Sequence, residues 1–297
     1  VNRSSNTRTI GGGWAEITII DGLTLKTQGG LDISNVKDFM YWDSESGDGY
    51  GRKGLIEEVN TTYENWNWQN ILNFNHSFND VHNLSATAVQ EYTHSQYEYT
   101  DASVQQLSDR FFTDHIISNT FGIKDVGGYK TFNGLASYMF RANYNYDSKY
   151  YAGASIRYDG LSSLPEDTRW GTFWGASIAW RLSRENFWKD SQVNEWFNDL
   201  RVRASYATLG NSDLGNNFPY LGTYGAKLYG SQSGVAWNRM GNNNLKWETT
   251  ETFDIGLDGS MFNNRLTFEL AYWQKNSKDL VLEVPTAPTM GVPYNSY

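Results

Sequence analysis

The chain has no cysteine and only five prolines among its 297 residues. The first absence excludes disulfide staples and thiolate metal sites. The second suits a sheet, because proline removes a ladder hydrogen bond wherever it interrupts a strand. Long apolar runs are missing as well. No segment approaches the roughly 18 consecutive apolar residues of a membrane helix, and mean hydropathy is −0.60. That excludes helical membrane proteins but not transmembrane barrels, whose alternating strands average to a polar composition. Basic charge is scarce, with 24 Lys and Arg against 33 Asp and Glu. Without a basic stripe to neutralise phosphates, the composition argues against nucleic acid.

Catalytic signatures are missing too. There is no G-x-S-x-G, no phosphate loop and no dinucleotide fingerprint. His76, His82, His94 and His115 lack the spacing of a metal helix, although His76 and His82 flank one turn and could meet across a hairpin. The acid pairs Glu57-Glu58 and Glu166-Asp167 sit in predicted loops with no sign of a pocket to shift their pKa. No catalytic residue, cofactor site or metal site is predicted, and an enzyme is not expected. The acidic stretch Asp43-Ser44-Glu45-Ser46-Gly47-Asp48-Gly49 fails the EF-hand register and leaves room only for a loose calcium site on a loop.

Aromatic residues are abundant instead: 12 Trp, 20 Tyr and 15 Phe. Such rings suit membrane interfaces and sugar-binding surfaces alike. Composition therefore leaves a soluble β-sandwich and a membrane barrel both open.

Period-two alternation is the main positive signal. Leu266, Phe268, Leu270 and Tyr272 share one face, opposite Thr267, Glu269 and Ala271. The same pattern sets Tyr138, Phe140, Ala142 and Tyr144 against Arg141 and Asn143, and Ala154, Ile156 and Tyr158 against Arg157. Ten strands are predicted: 12–21, 23–34, 60–78, 82–99, 128–147, 149–161, 168–183, 198–210, 246–260 and 264–280. Many reach the roughly 9–11 residues that cross a bilayer at a tilt. Between them, tight turns at Asp21-Gly22, Asn79–Val81, Asp147–Lys149 and Phe262–Asn264 alternate with long connections at 35–59, 100–127 and 211–245. That places short turns at one end and long loops at the other, as in outer-membrane barrels.

One connection breaks the rule. Residues 183–198, with Phe187, Trp188, Val193, Trp196 and Phe197, lie on the tight-turn side and read as a short amphipathic helix or an interfacial aromatic cluster. Rings also gather near strand ends, at Trp66, Trp68, Tyr92, Tyr97, Tyr99, Tyr144, Tyr146, Tyr150, Tyr151, Trp170, Phe173 and Trp174. That pattern predicts two interfacial girdles.

The second half resembles a known family. The turn Asp147–Tyr150, the run Arg157–Ser162, the strand start Trp170–Phe173 and the strand end Ala179–Arg181 occur in order. They are followed by DLRVRASYATLGN at 199–211 and NNNLKWETTETFDIGLDGSMFNNRLTFELAYWQKNSKDLVL at 242–282. Together they resemble the barrel of SusC/RagA-type TonB-linked outer-membrane proteins. Asn244 stands where family members commonly carry Pro, and Leu161 where Ser is common.

The resemblance implies an all-β transmembrane antiparallel barrel in a Gram-negative outer membrane. About ten strands of a larger, 22-stranded wall would be present in residues 1–297, with the plug, the TonB box and the remaining strands outside this sequence. The opening VNRSSNTRTIGGG lacks an apolar signal-peptide core and the closing MGVPYNSY is turn-like, so an internal piece of a longer chain is expected. The resemblance also implies import of glycans or peptides, a SusD-like surface lipoprotein as a cap, and the TonB–ExbB–ExbD complex as the energy source. Lumen-facing Arg141, Arg157, Arg181, Arg201, Arg203, Asp254 and Glu269 would line the wall, paired to neighbours more than to substrate. Tyr220, Tyr224, Tyr229 and Trp237, in the loop 211–245, are candidates for substrate contact. Two other readings predict differently. A self-contained ten-strand pore or surface enzyme requires its first and last strands to pair, and a soluble glycan-binding β-protein requires solubility without detergent.

Overall fold

The computed structural model describes residues 2–107, 116–118, 120, 122, 124–287, 289, 291 and 294–296. Ten strands form one antiparallel meander. They are β1 (Asn2–Ile20), β2 (Leu23–Trp42), β3 (Leu55–Phe78), β4 (His82–Gln105), β5 (Lys124–Tyr146), β6 (Tyr150–Leu161), β7 (Trp170–Arg181) and β8 (Phe197–Gly210), then β11 (Thr249–Met261) and β12 (Leu266–Lys278). A separate hairpin of β9 (Thr223–Tyr229) and β10 (Gln232–Arg239) interrupts the run between β8 and β11. The strand order is that of the chain, and the outermost strands β1 and β12 do not pair with each other. The sheet is therefore open, against the self-contained pore, which needs that pairing. In lipid, such edges must be covered by further strands.

The tight turns close as their residues dictate. Asn79 and Asp80 have φ of 50° and 57°, and Asp147 and Ser148 have 49° and 54°. Two successive left-handed residues make the type I′ turn whose twist matches paired strands, and Asn and Asp tolerate it best. Val81 N–H and Lys149 N–H donate back to the carbonyls of Phe78 and Tyr146 to close the two loops. At Gly22, φ is 79° and a Cβ would run into the Asn75 carbonyl, so glycine is required there. The turns also bond one another: Asp147 N–H donates to Val81 O at 2.7 Å and Phe262 N–H to Trp196 O at 3.0 Å. The connection after β7 folds into a 3-10 turn, Leu182–Arg184, and two single helical turns, Asn186–Lys189 and Val193–Trp196. Its rings pack edge-on against the strand ends, Trp196 on Phe262 at 5.8 Å and Phe187 on Trp180 at 6.5 Å.

The first five strands are longer than alternation predicts. β3 and β4 each run 24 residues, and only 43–54 separates β2 from β3. A 24-residue strand covers about 80 Å, far more than an apolar band about 25 Å tall requires. Much of it must therefore stand in water, where both faces can be polar and period two is lost. That is why NTTYENWNWQN in β3 reads weakly as sequence. The predicted loop 211–245 likewise contains the hairpin β9–β10, which turns at Gly230 with φ 61°. Part of the predicted loop 100–127, including His115, lies outside the described residues.

The chain divides into two compact units. One comprises Val1–Trp14, Gln28–Trp68 and Thr93–Gly134; the other comprises Ala15–Thr27, Gln69–Tyr92 and Leu135–Tyr297. In the second unit the register lines up apolar side chains on one face. Phe140 pairs with Ile156 and then Trp174, while Tyr144 leads through Ala152, Ile178 and Ala204 to Ile255 and Tyr272. Ile178 is 66% exposed and Leu270 63%. So many adjacent exposed apolar side chains are unusual for a monomer in water and expected for a wall in lipid.

Two ring rows bound this band. Tyr146, Tyr150 and Trp180 stack in series at 6.2 and 6.4 Å near the tight turns. At the other side Tyr138 and Tyr158 stack on Trp170 at 6.4 and 4.7 Å. From Tyr150 to Tyr158 the strand covers about 27 Å, or about 21 Å of height at a tilt near 40°. That is the spacing of interfacial girdles. Tyr97, Tyr99, Tyr151 and Phe173 were expected in the girdles but belong to the opposite face of their strands. Tyr151 lines an inner cleft, and Phe173 is buried against Trp247.

Candidate functional site

The polar face of β6–β8, β11 and β12 carries a chain of ion pairs. Period two puts Arg181, Asp199, Arg201, Arg203, Asp254 and Asp258 on the side opposite the apolar rows. Arg181 donates two parallel bonds to Asp199, at 2.7 and 2.9 Å, and the Ser183 hydroxyl adds another. Arg201 holds Asp258 at 2.7 Å. Arg203 is the hub, reaching Asp254 at 2.7 Å, Glu269 at 2.6 Å and Asp258 at 3.3 Å. Farther along, Arg157 grips Asp159 at 2.7 and 2.8 Å and also touches Ser137 at 2.9 Å and Glu91 at 3.4 Å. Each guanidinium uses its planar fork on carboxylates, the geometry that favours Arg over Lys.

Of the predicted wall residues, the structure thus brings Arg201, Arg203, Asp254 and Glu269 into one network. It places Arg181 one strand over and Arg157 in a separate cluster. Arg141 makes no ion pair among the described residues. An open cleft of ≈ 680 Å³ runs along this face, lined by Asn143, Tyr151, Ser177, Arg201, Arg203 and Asp254 among others. Its chemistry is that of a hydrated, charge-balanced wall able to meet polar groups, with no nucleophile poised by a base.

Near the long-loop end the face closes over a small apolar core. Leu161, Leu164, Phe173, Leu245 and Trp247 are buried together. Trp247 Nε1 donates to the Arg169 carbonyl at 2.8 Å, and the Thr168 hydroxyl to the Leu245 carbonyl at 2.5 Å. The segment around Leu245 is thereby latched onto the β6–β7 loop, and Leu214 and Tyr220 pack on its edge.

The four loop aromatics proposed for substrate contact do not converge. Tyr220 packs on that core, and Tyr224 and Trp237 face each other across the hairpin at 3.9 Å. Tyr229 stands at the hairpin tip, 90% exposed. The histidines disperse as well. His76 stacks with Phe74 and meets Phe78 edge-on, whereas His82 Nδ1 lies 2.6 Å from the Tyr144 hydroxyl. In the acidic loop, the Asp43 carboxylate accepts from Glu45 N–H at 3.0 Å. No group of three His, Cys, Asp or Glu placed to hold a metal ion is found among the described residues.

Two carboxylates at the tight-turn end titrate abnormally. Glu185 is held below the usual carboxylate range chiefly by the Tyr150 hydroxyl at 2.5 Å, with Trp180 Nε1 adding at 3.1 Å. Asp147 is lowered by its hydrogen-bonded ion pair with Lys149 at 2.9 Å. Both are structural features of the turn end.

In the first unit, a group of phenols comes together that no sequence motif marks. Tyr63 meets Tyr97 at 5.0 Å, and Tyr129 meets Tyr97 at 5.4 Å and Tyr99 at 5.6 Å. The only sequence signal is the tyrosine repeat at 97 and 99. The partners on β3 and β5 become visible only with the strand register.

Comparison with known proteins gives one answer. The family model described as "TonB dependent receptor-like, beta-barrel" matches residues 3–297. TonB-dependent receptor P39 of Formosa agariphila is 32% identical over 280 residues, which is 94% of this chain and 26% of that protein. TonB-dependent receptor SusC of Bacteroides thetaiotaomicron is 32% identical over 173 residues, covering 54% of this chain and 17% of that one. Among solved structures, the RagAB peptide importer in its open-open state superposes with a TM-score of 0.82 at 25% identity. That match takes in 100% of this chain and 32% of the other. The chain spans only about a quarter of the length of the curated relatives it matches.

Proposed function

This chain belongs to the TonB-dependent receptor β-barrel family and to the outer membrane, and from that premise we propose that it is a wall segment of an energised importer for glycans or peptides. The carrying observation is the division of one sheet into an apolar face bounded by two ring rows and an opposite face of paired charges. The first holds the wall in lipid; the second lines a hydrated interior. A transport role fits a face built of balanced ion pairs better than catalysis does, since no acid, base or nucleophile is isolated there.

Because this chain covers 26% of the first relative, the parts that consume energy are assigned to the rest of the polypeptide. These are a plug, a TonB box and the strands that would pair with β1 and β12. A SusD-like lipoprotein would cap the long-loop side, and the TonB–ExbB–ExbD complex would pull from the periplasm. The printed names of SusC and of the RagAB peptide importer support the nutrient reading without choosing between glycan and peptide. A loosely held calcium ion at the acidic stretch Asp43–Gly49 belongs to the same proposal.

The test is genetic and uses the whole receptor. Deleting it from the source bacterium, and separately deleting TonB, should abolish growth on one glycan or peptide source and leave growth on monomers unchanged. Growth that survives both deletions on every such source would refute the importer reading.

A further inference from the structure

We infer that Tyr63, Tyr97, Tyr99 and Tyr129 form a subsite for an uncharged oligosaccharide. The inference rests on the importer reading and narrows its substrate class. Three strands contribute: β3 gives Tyr63, β4 gives Tyr97 and Tyr99, and β5 gives Tyr129. On these strands the other face bears Trp66, His94 and Phe132, which stack separately at 5.5 and 6.2 Å. By period two, the tyrosines share the parity of Gln69, Glu91 and Ser137, whose polar side chains bond one another or Arg157. They therefore stand on the polar face of their strands.

The rings form a curved surface, not a sealed core. Neighbouring centroids lie 5.0–5.6 Å apart with interplanar angles of 35–60°. Tyr63 is 44% exposed and Tyr129 59% exposed. Ring faces of this kind take the C–H face of a sugar, while the phenol tips fix the rings in place, Tyr129 bonded to Tyr97 and Tyr99 to Asp101.

The surroundings select the ligand's charge. The Asp101 carboxylate accepts from the Tyr99 phenol, and Glu57 adds negative charge to the same surroundings. Among the described residues, the flanking same-parity positions Thr61, Asn65, Ser95, Gly127 and Thr131 carry no positive charge. Carboxylates accept strong hydrogen bonds from sugar hydroxyls. They repel sulfate and uronate groups, for which the described residues of this surface offer no counter-charge. A neutral glycan satisfies rings, hydroxyls and carboxylates together.

The experiment uses the full-length receptor in detergent, titrated calorimetrically with heptamers of uncharged glucans and mannans, with alginate oligomers and with an oligolysine peptide. At least one uncharged heptamer should bind, and alginate should not. Tyr97→Ala and Tyr129→Ala should each weaken that binding at least tenfold, Tyr129→Phe by less than threefold, and Asp101→Asn by about threefold to tenfold. Heat-modifiable migration of each variant controls for folding. Failure of every uncharged heptamer to bind, preference for alginate or oligolysine, or affinity unchanged in the alanine variants would overturn the subsite. Those outcomes, with TonB-dependent uptake of some nutrient retained, leave the importer reading standing; loss of all uptake phenotypes sinks that reading instead.

Discussion

Placing an arginine at successive depths on the apolar face tests whether that face meets lipid. Ala154 pairs with Ala142 on one side and Ala176 on the other, midway between the two ring rows, and is exposed. In water, Arg at an exposed alanine of a strand costs a few tenths of a kcal/mol at most. At the bilayer midplane it costs about 2–4 kcal/mol, falling to about 0–1 near the interfaces. Ala152 lies about 5 Å nearer the turn-side ring row, so Ala152→Arg should fall between those limits. Ser177 sits beside Ala176 at the same depth but lines the inner cleft with Asp254. Ser177→Arg should cost under about 1 kcal/mol, because water and a carboxylate are at hand. The assay is guanidinium unfolding of the full-length receptor in lipid vesicles, followed by tryptophan fluorescence. Equal costs at Ala154, Ala152 and Ser177, or the largest cost at Ser177, would refute the assignment of the faces.

The remaining predictions concern the inner face and the turns. Arg203→Met should destabilise the receptor by about 2 kcal/mol, and a double-mutant cycle with Asp254→Asn should return a coupling of about 1 kcal/mol, since the pair is partly screened. A coupling indistinguishable from zero would show that the hub is incidental. Trp247→Ala should cost about 3–5 kcal/mol in lost packing and cavity, concentrated locally, so limited proteolysis should now cut within 211–245; an unchanged digestion pattern contradicts the latch. For Asp147, whose folded pKa is lowered by Lys149, the ion pair stabilises the turn above the ordinary Asp pKa and the benefit is lost as pH falls through the lowered value. Stability of Asp147→Asn measured from neutral pH down into that acid range should therefore lose a small part of the wild-type acid slope, and an unchanged slope argues against the pairing.

How much of this was legible depends on what stands on each side of a strand. In β6, β7, β8, β11 and β12, one face meets lipid and the other meets charge, so side chains such as Ile156 and Arg157 alternate and the strand bounds are readable to within three residues. The turns are readable for a different reason: Asn79-Asp80 and Asp147-Ser148 occupy left-handed φ that few residues tolerate. In β3 and β4 the segments far from the turns, LIEEV at 55–59 and TDASVQ at 100–105, set apolar and polar side chains in no period of two, and Leu55, Ile56 and Val104 are buried. Alternation vanishes there, and the strands run on where loops were expected. The hairpin at 223–239 was hidden likewise, since Gly, Ser, Asn and Tyr fit loop and exposed strand equally.

The same logic separates the two sets of candidate residues. Arg157, Arg181, Arg201 and Arg203 could be placed because a charge opposite an apolar row has only one face to occupy. Their partners could not all be placed: Glu269 reaches Arg203 across β11, and Asp199 meets Arg181 only because β7 and β8 pair with Arg181 opposite Arg201. For the aromatics, closeness in sequence and closeness in space part company. Tyr220, Tyr224, Tyr229 and Trp237 are close in the chain, yet one packs on a core, two pack on each other and one stands alone. Tyr63, Tyr97, Tyr99 and Tyr129 are far apart in the chain and meet because consecutive antiparallel strands bring matching heights together. A surface for a ligand in such a protein is thus set by register across strands, which no window along a single strand contains.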